Sequence, residues 1–235
     1  MEGCDVAICD IDRDVLDGAL ESVRAINPSG SAAAYQVDLT QADSIEQLVE
    51  DVRRDLGVVS ILVTNSGGPP PGTFDAATDE KWLFAYQLTF LSAVRLVRAV
   101  LPDMKAQRWG RIINFTSRSL KEPIPNLMIS NAVRLAVGGM AKTLAGEVAS
   151  YGITVNNVCP GPTTTDRAIE LAGARAAKKG ISVEDELART ASTIPMGRLA
   201  RPEEQAAAVA YLASDLAGYI TGISLLVDGG AVKAL

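Results

Sequence analysis

The chain has 235 residues, 48% of them hydrophobic, and a net charge of −6, which suits one sizeable core and predicts a single domain over residues 1–235. With no histidine, Ser-His-Asp hydrolysis and His-ligated zinc are excluded. The absence of a long basic run leaves no electrostatic footprint for a nucleic-acid partner.

Short apolar, β-branched runs alternate with helical patterns along the chain. Val6–Cys9 predicts a first strand ending at Asp10, and Ala33–Val37 a second ending at Asp38. A helix follows with Ile45, Leu48, Val49 and Val52 on one face and Gly57 as its stop. Val58–Val63 predicts a third strand, which runs into the turn Asn65-Ser66-Gly67-Gly68. The next helix begins at Thr78, with Asp79 and Glu80 where carboxylates favour the positive end of the helix dipole. Ile112–Phe115, Ile153–Val158 and Ile223–Val227 predict three more strands, the first leading to Ser117 and the second to Pro160-Gly161. Continuous rather than alternating hydrophobicity predicts strands buried on both faces, hence an α/β doubly wound parallel sheet with its ligand crevice at the carboxyl ends of the strands.

No apolar run reaches the ~20 residues of a spanning helix, and Met1-Glu2-Gly3-Cys4-Asp5-Val6 lacks the regions of a signal peptide, so no membrane association and a cytoplasmic location are expected. Cys4, Cys9 and Cys159 have no metal-type spacing and read as small core residues, with no metal site expected.

Five motifs stand in order: Asp38-Leu39-Thr40, Val63-Thr64-Asn65-Ser66-Gly67, Gly110–Ser117, Pro160-Gly161, and Tyr219-Ile220-Thr221-Gly222 leading to Val227-Asp228-Gly229-Gly230. With them the whole chain resembles the short-chain dehydrogenase/reductase family. More narrowly it is similar to its 3-oxoacyl-acyl-carrier-protein reductase-like branch, by Gly67-Gly-Pro-Pro-Pro-Gly72, Lys121-Glu-Pro-Ile-Pro-Asn126 and Ile194-Pro-Met-Gly-Arg-Leu-Ala-Arg-Pro-Glu203. The resemblance implies a Rossmann-type fold and an NAD(P)-dependent oxidoreductase acting on a carbonyl or alcohol substrate. Family members open with a strand, a glycine-rich turn and a helix, and Met1 corresponds to the end of that helix. Those three elements are therefore expected to be lacking.

The resemblance also implies roles for residues. Aligned on the family's catalytic positions, Ser117 stands at the serine, Ser130 at the tyrosine, Arg134 at the lysine and Thr89 at the asparagine. The cofactor side comprises Asp10, Asp38, Leu39, Asn65, Ser66, Gly67, Arg134, Pro160, Gly161, Thr163 and Thr165. Asp10 would accept the ribose hydroxyls and repel a 2′-phosphate, so NAD is expected in preference to NADP. Residues 164–192 correspond to a helical substrate lid, whose charges (Arg167, Glu170, Arg175, Lys178, Lys179) read as solvent-facing. Helices over Thr78–Leu101 and Asn131–Ala149 are expected to pair subunits into a homodimer or homotetramer.

Each assignment has a structural alternative. Asp10 or Asp12 suits a helix cap, Asp38 a turn, Ser117 a strand-end hydroxyl and Ser130 a packing residue. Lys121 and Glu122 would supply replacement acid–base groups or form a solvated ion pair. Serine is far less acidic than a phenol and arginine stays protonated, so ordinary family chemistry is not expected from these four residues. Two functions follow: an oxidoreductase with a degenerate catalytic tetrad, and a non-catalytic member that binds a ligand or a sister subunit.

Overall fold

The computed structural model describes residues 3–26 and 30–234. Met1, Glu2 and the side chain of Arg167 lie outside the described residues. The strands are β1 (Val6–Asp10), β2 (Ala32–Gln36), β3 (Ile61–Thr64), β4 (Gly110–Phe115), β5 (Ile153–Pro160) and β6 (Ser224–Val227). All pair in parallel, β1 with β2 and, separately, in the order β3-β4-β5-β6. Parallel pairing needs crossovers, which the intervening helices provide. These are α1 (Arg13–Ile26), α2 (Ala42–Asp55), α3 (Asp79–Ala85), α4 (Ser92–Gln107), α5 (Met128–Val148), α6 (Asp166–Lys179), α7 (Val183–Ser192) and α8 (Pro202–Ala213).

The predicted face of α2 is buried as expected, through Ile45, Leu48, Val49 and Val52. It meets Leu96, Val97 and Val100 of α4, Ile112 of β4, and Ala141 and Ala145 of α5 in one cluster. Burial on both faces holds for β4 and β5, where five and seven consecutive residues are buried. It fails for β1, where no residue is fully buried, and for Val63 of β3, which is 42% exposed. β1 and β3 do not hydrogen-bond to each other, so each has fewer neighbours than a strand inside a continuous sheet. The third strand also begins three residues later than predicted, because the chain leaves Gly57 at a φ of 97° and turns before pairing.

The helical run Asp79–Gln107 corrects the reading that no segment is long and apolar enough to span a membrane: it has 29 residues and a mean hydropathy of 1.3 over its apolar window. It packs on α2, α5 and β4. A π-helical turn at Tyr86–Leu91 joins its two α-helical parts; the wider turn admits one extra residue and re-aims the side chains around Thr89.

The segment expected to form a lid folds as two helices, and two of its charges are not simply solvent-facing. Glu186 of α7 has a side chain only 5% exposed, held by Arg175 Nε at 3.0 Å and Lys179 Nζ at 2.7 Å from α6. These partners, Lys179 first, depress the Glu186 pKa below the ordinary 4.5. A depressed carboxylate stabilises the pair fully above pH 4.5 and progressively less as pH falls below it. Hydrogen exchange in α6 and α7 is therefore expected to accelerate selectively below pH 4.5, and Glu186→Gln to remove that pH dependence.

Candidate active site

Three strands end at the same edge, and their following residues line one narrow pocket. Thr64, Asn65 and Ser66 come from the end of β3, Phe115 and Thr116 from β4, Leu39 from the turn after β2, Thr89, Ser92 and Leu96 from the π-turn and α4, and Arg134 and Val137 from α5. Five of the expected site residues, Leu39, Asn65, Ser66, Thr89 and Arg134, thus meet. Thr89 Oγ1 is buried there without a hydrogen-bond partner among the described residues, which is costly in a folded interior and common where a ligand or water completes the site.

Arg134 ties α5 to the end of β4. Its Nη1 donates to the carbonyls of Thr116 at 2.9 Å and Phe115 at 3.3 Å, and its Nε donates to Ser130 Oγ at 3.3 Å. Gly68 lies beside this side chain; a Cβ there would stand 3.4 Å from Arg134 Nη2, which is ordinary contact. Burial pushes the Arg134 pKa down, the nearby Cys159 opposing it. No salt bridge to Arg134 occurs among the described residues. A guanidinium so placed is a fixed donor and a poor proton carrier.

Ser117 Oγ accepts from Ser119 N at 3.1 Å and caps a short 3-10 turn, the structural role weighed against substrate orientation. Lys121 and Glu122 form no ion pair with each other among the described residues; Glu122 Oε2 instead accepts from Lys233 N at 3.2 Å.

On the cofactor side, helix capping falls to Asp12, whose Oδ1 accepts from Asp14 N and Val15 N. Asp10 Oδ1 accepts from Asp12 N at 2.9 Å and stays exposed at the strand end. Asp38 makes the turn itself: its Oδ1 accepts from Thr40 N and Thr40 Oγ1, which lowers its pKa. Thr165 caps α6 through Ala168 N, and Thr163 Oγ1 bonds Gly161 O and accepts from Gln205 Nε2. Pro160 ends β5, and Gly161 packs against the end of β6, where a Cβ would fall 2.6 Å from Asp228 Cα. Gly67 has open space around it, its nearest neighbour being Leu88 at 4.0 Å. Ser117, Ser130, Asp10, Asp38, Gly67, Pro160, Gly161, Thr163 and Thr165 are not among the residues that line the pocket.

The family model described as "Enoyl-(Acyl carrier protein) reductase" matches residues 1–232. The 3-oxoacyl-(acyl-carrier-protein) reductase FabG of Haemophilus influenzae is 38% identical over 194 residues, covering 83% of this chain and 76% of that one. The chain belongs to the short-chain dehydrogenase/reductase family. Among solved structures, L-sorbose reductase of Gluconobacter frateurii, complexed with NADPH and L-sorbose, superposes with a TM-score of 0.94 at 33% identity over 100% of this chain and 89% of that one. An NADPH-bound short-chain oxidoreductase of Pseudomonas aeruginosa, described as containing an atypical catalytic center, superposes with a TM-score of 0.88 at 32% identity over 98% and 88%. The strand-end pocket therefore lies in a short-chain dehydrogenase/reductase of the 3-oxoacyl reductase-like branch, a family of NAD(P)-dependent oxidoreductases.

Sequence reasoning missed Thr64, Ser92 and Thr116 as pocket residues. Two sit next to residues it named, Asn65 and Ser117; Ser92 had no signal, because only the π-turn brings it round.

Proposed function

We propose that the chain is an NAD-linked oxidoreductase of the 3-oxoacyl reductase-like type acting on a carbonyl or alcohol, with Ser117, Ser130, Arg134 and Thr89 in the four catalytic positions. The carrying observation is the convergence of Thr89, Arg134, Asn65 and Ser66 on one polar pocket at the strand ends, with Thr89 Oγ1 left unpaired. A nicotinamide cofactor there would supply the hydride. Arg134 holds the end of β4 and presents a permanent positive charge, which stabilises a developing alkoxide electrostatically. Ser130 is already bonded to Arg134 and has no group that lowers its pKa enough to make it an acid. The substrate oxygen must then take its proton from water, and turnover is slow. A non-catalytic role as a ligand-binding or oligomer-partner protein is the second reading, favoured by the same Ser130–Arg134 bond.

Cofactor choice follows from Asp10. A carboxylate at the end of β1 accepts ribose hydroxyls and opposes a 2′-phosphate, although several relatives are described as NADPH-bound or NADPH-dependent. Fluorescence titration is expected to give tighter binding of NADH than NADPH, and Asp10→Ala to narrow the ratio by about tenfold, or ~1.4 kcal/mol. Equal affinities in the unmodified chain remove Asp10 from the site.

We also propose assembly as a homodimer or homotetramer. Ala141 and Ala145 of α5 are used inside the chain, whereas Ala132, Leu135, Ala136 and Gly139 of α5 are exposed, as are Leu83 and Phe84 of α3. Small and apolar residues on exposed helix faces suit close packing of helices across a two-fold axis. Sedimentation is expected to show a dimer or larger at micromolar concentration and dissociation in Leu135→Glu; a parental monomer rules this interface out.

A further inference from the structure

Four polar side chains cross the sheet at one level. Thr64 Oγ1 donates to Asn114 Oδ1 at 2.9 Å, Asn114 Nδ2 to Asn157 Oδ1 at 3.1 Å, and Asn157 Nδ2 to Ser224 Oγ at 3.2 Å. Each pair is also a register pair, Thr64 with Asn114, Asn114 with Asn157 and Asn157 with Ser224. Asn114 is fully buried, Asn157 2% exposed and Thr64 8% exposed. Thr116 Oγ1 lies 3.3 Å from Cys159 Sγ.

Buried side-chain amides are an expensive way to fill a sheet, because each must find partners that an apolar residue does not need. A one-residue slip of β4 or β5 would break two bonds of this ladder, and of β3 or β6 one, and strand buried polar groups. Register is what places the last residues of β3, β4 and β5 at one edge, and therefore what brings Asn65, Thr116 and Ser117 together. Thr116 itself is held by Cys159 Sγ and by the Val158 carbonyl at 3.0 Å.

We infer that Asn114, Asn157 and Ser224 are positioning residues, a polar ladder that fixes the height and orientation of the loops carrying Asn65-Ser66 and Thr116-Ser117. The role rests on the proposed function only in giving those loops catalytic and cofactor duties; the mechanical hold is independent of it. Asn157→Val alone leaves Asn114 Nδ2 and Ser224 without their partner and destabilises the sheet. Asn114→Val with Asn157→Val removes both amides and leaves only the rotatable hydroxyls of Thr64 and Ser224 without their ladder partners, so no buried amide is left unpaired.

The test is amide hydrogen exchange on the parent, the Asn114→Val/Asn157→Val double variant and Ser224→Ala, each without cofactor, followed by NADH titration. In the double variant, exchange is expected to accelerate by at least ~10-fold at residues 65–68 and 116–120, while amides in the middle of β4 and β5 stay protected, because local opening is set by loop contacts rather than global stability. Ser224→Ala, which leaves both amides in place but removes the acceptor of Asn157 Nδ2, is expected to loosen the same loops by a smaller factor than the double variant. It decides the question if the double variant fails to fold. Loop exchange matching the parent in the folded variants overturns the inference and leaves the ladder as sheet reinforcement. Loosened loops in a chain that never binds NADH uphold the ladder and remove the functional reading instead.

Discussion

Ser130→Tyr combined with Arg134→Lys is expected to raise carbonyl reduction by at least ~10-fold. The pair replaces a neutral hydroxyl, already bonded to a guanidinium, with a phenol beside an ammonium. An adjacent ammonium lowers the phenol pKa towards working pH, and a positioned general acid contributes about 10²–10⁴-fold. The expected gain lies at the low end because a lysine cannot reproduce all three Arg134 bonds, two of which hold the end of β4. Ser117→Ala in that background is expected to remove most of the gain. Steady-state rates on 3-oxoacyl thioesters and small ketones, with NADH affinity measured alongside, check it. A double variant that binds NADH as the parent does and gains nothing shows that position 130 does not face the substrate.

Gly161→Ala is expected to cost about 1–3 kcal/mol, the usual range for forcing extra volume into a packed site, and to lower Tm by about 2–4 °C per kcal/mol. A Cβ at this position would lie 2.6 Å from Asp228 Cα and 3.1 Å from Asp228 O, so the obstruction is backbone and cannot swing away. Relief requires the ends of β5 and β6 to separate, which disturbs Gly161 N to Val227 O and the Asp228 turn, where Asp228 accepts from Gly230 N and Val232 N. Thermal unfolding with NADH titration separates the two consequences. A variant as stable as the parent shows that β6 moves freely and that Gly161 is glycine for a ligand's sake instead.

Legibility followed burial. β4 and β5 were readable because they are covered on both faces, so apolar identity and strand position coincide. The α2 face was readable for the same reason. β3 was read too long, since Val58 and Val59 are as apolar as strand residues but precede the point where pairing begins. In the site, motif order located the strand-end loops, yet Asp10, Asp12 and Asp38 all resemble one another in sequence. Only the N–H groups that donate to them separate the α1 cap from the turn former and from the exposed strand-end carboxylate. The asparagine ladder was invisible because Asn114 and Asn157 sit 43 residues apart in runs that read simply as strand. Register pairs them, and no local pattern announces register.

Hydride is proposed to move between a nicotinamide and a carbonyl at the Ser117–Arg134 edge of the sheet, and a single-turnover reaction with NADH deuterated at both C4 positions tests this. Enzyme in excess is incubated with 3-oxoacyl thioesters and small ketones, and the alcohol products are examined by mass spectrometry. The account predicts deuterium on the former carbonyl carbon of at least one product, formed at least ~10-fold more slowly than by the Ser130→Tyr/Arg134→Lys variant. No deuterated alcohol from a chain that demonstrably binds NADH would contradict it and leave a cofactor-binding protein without chemistry.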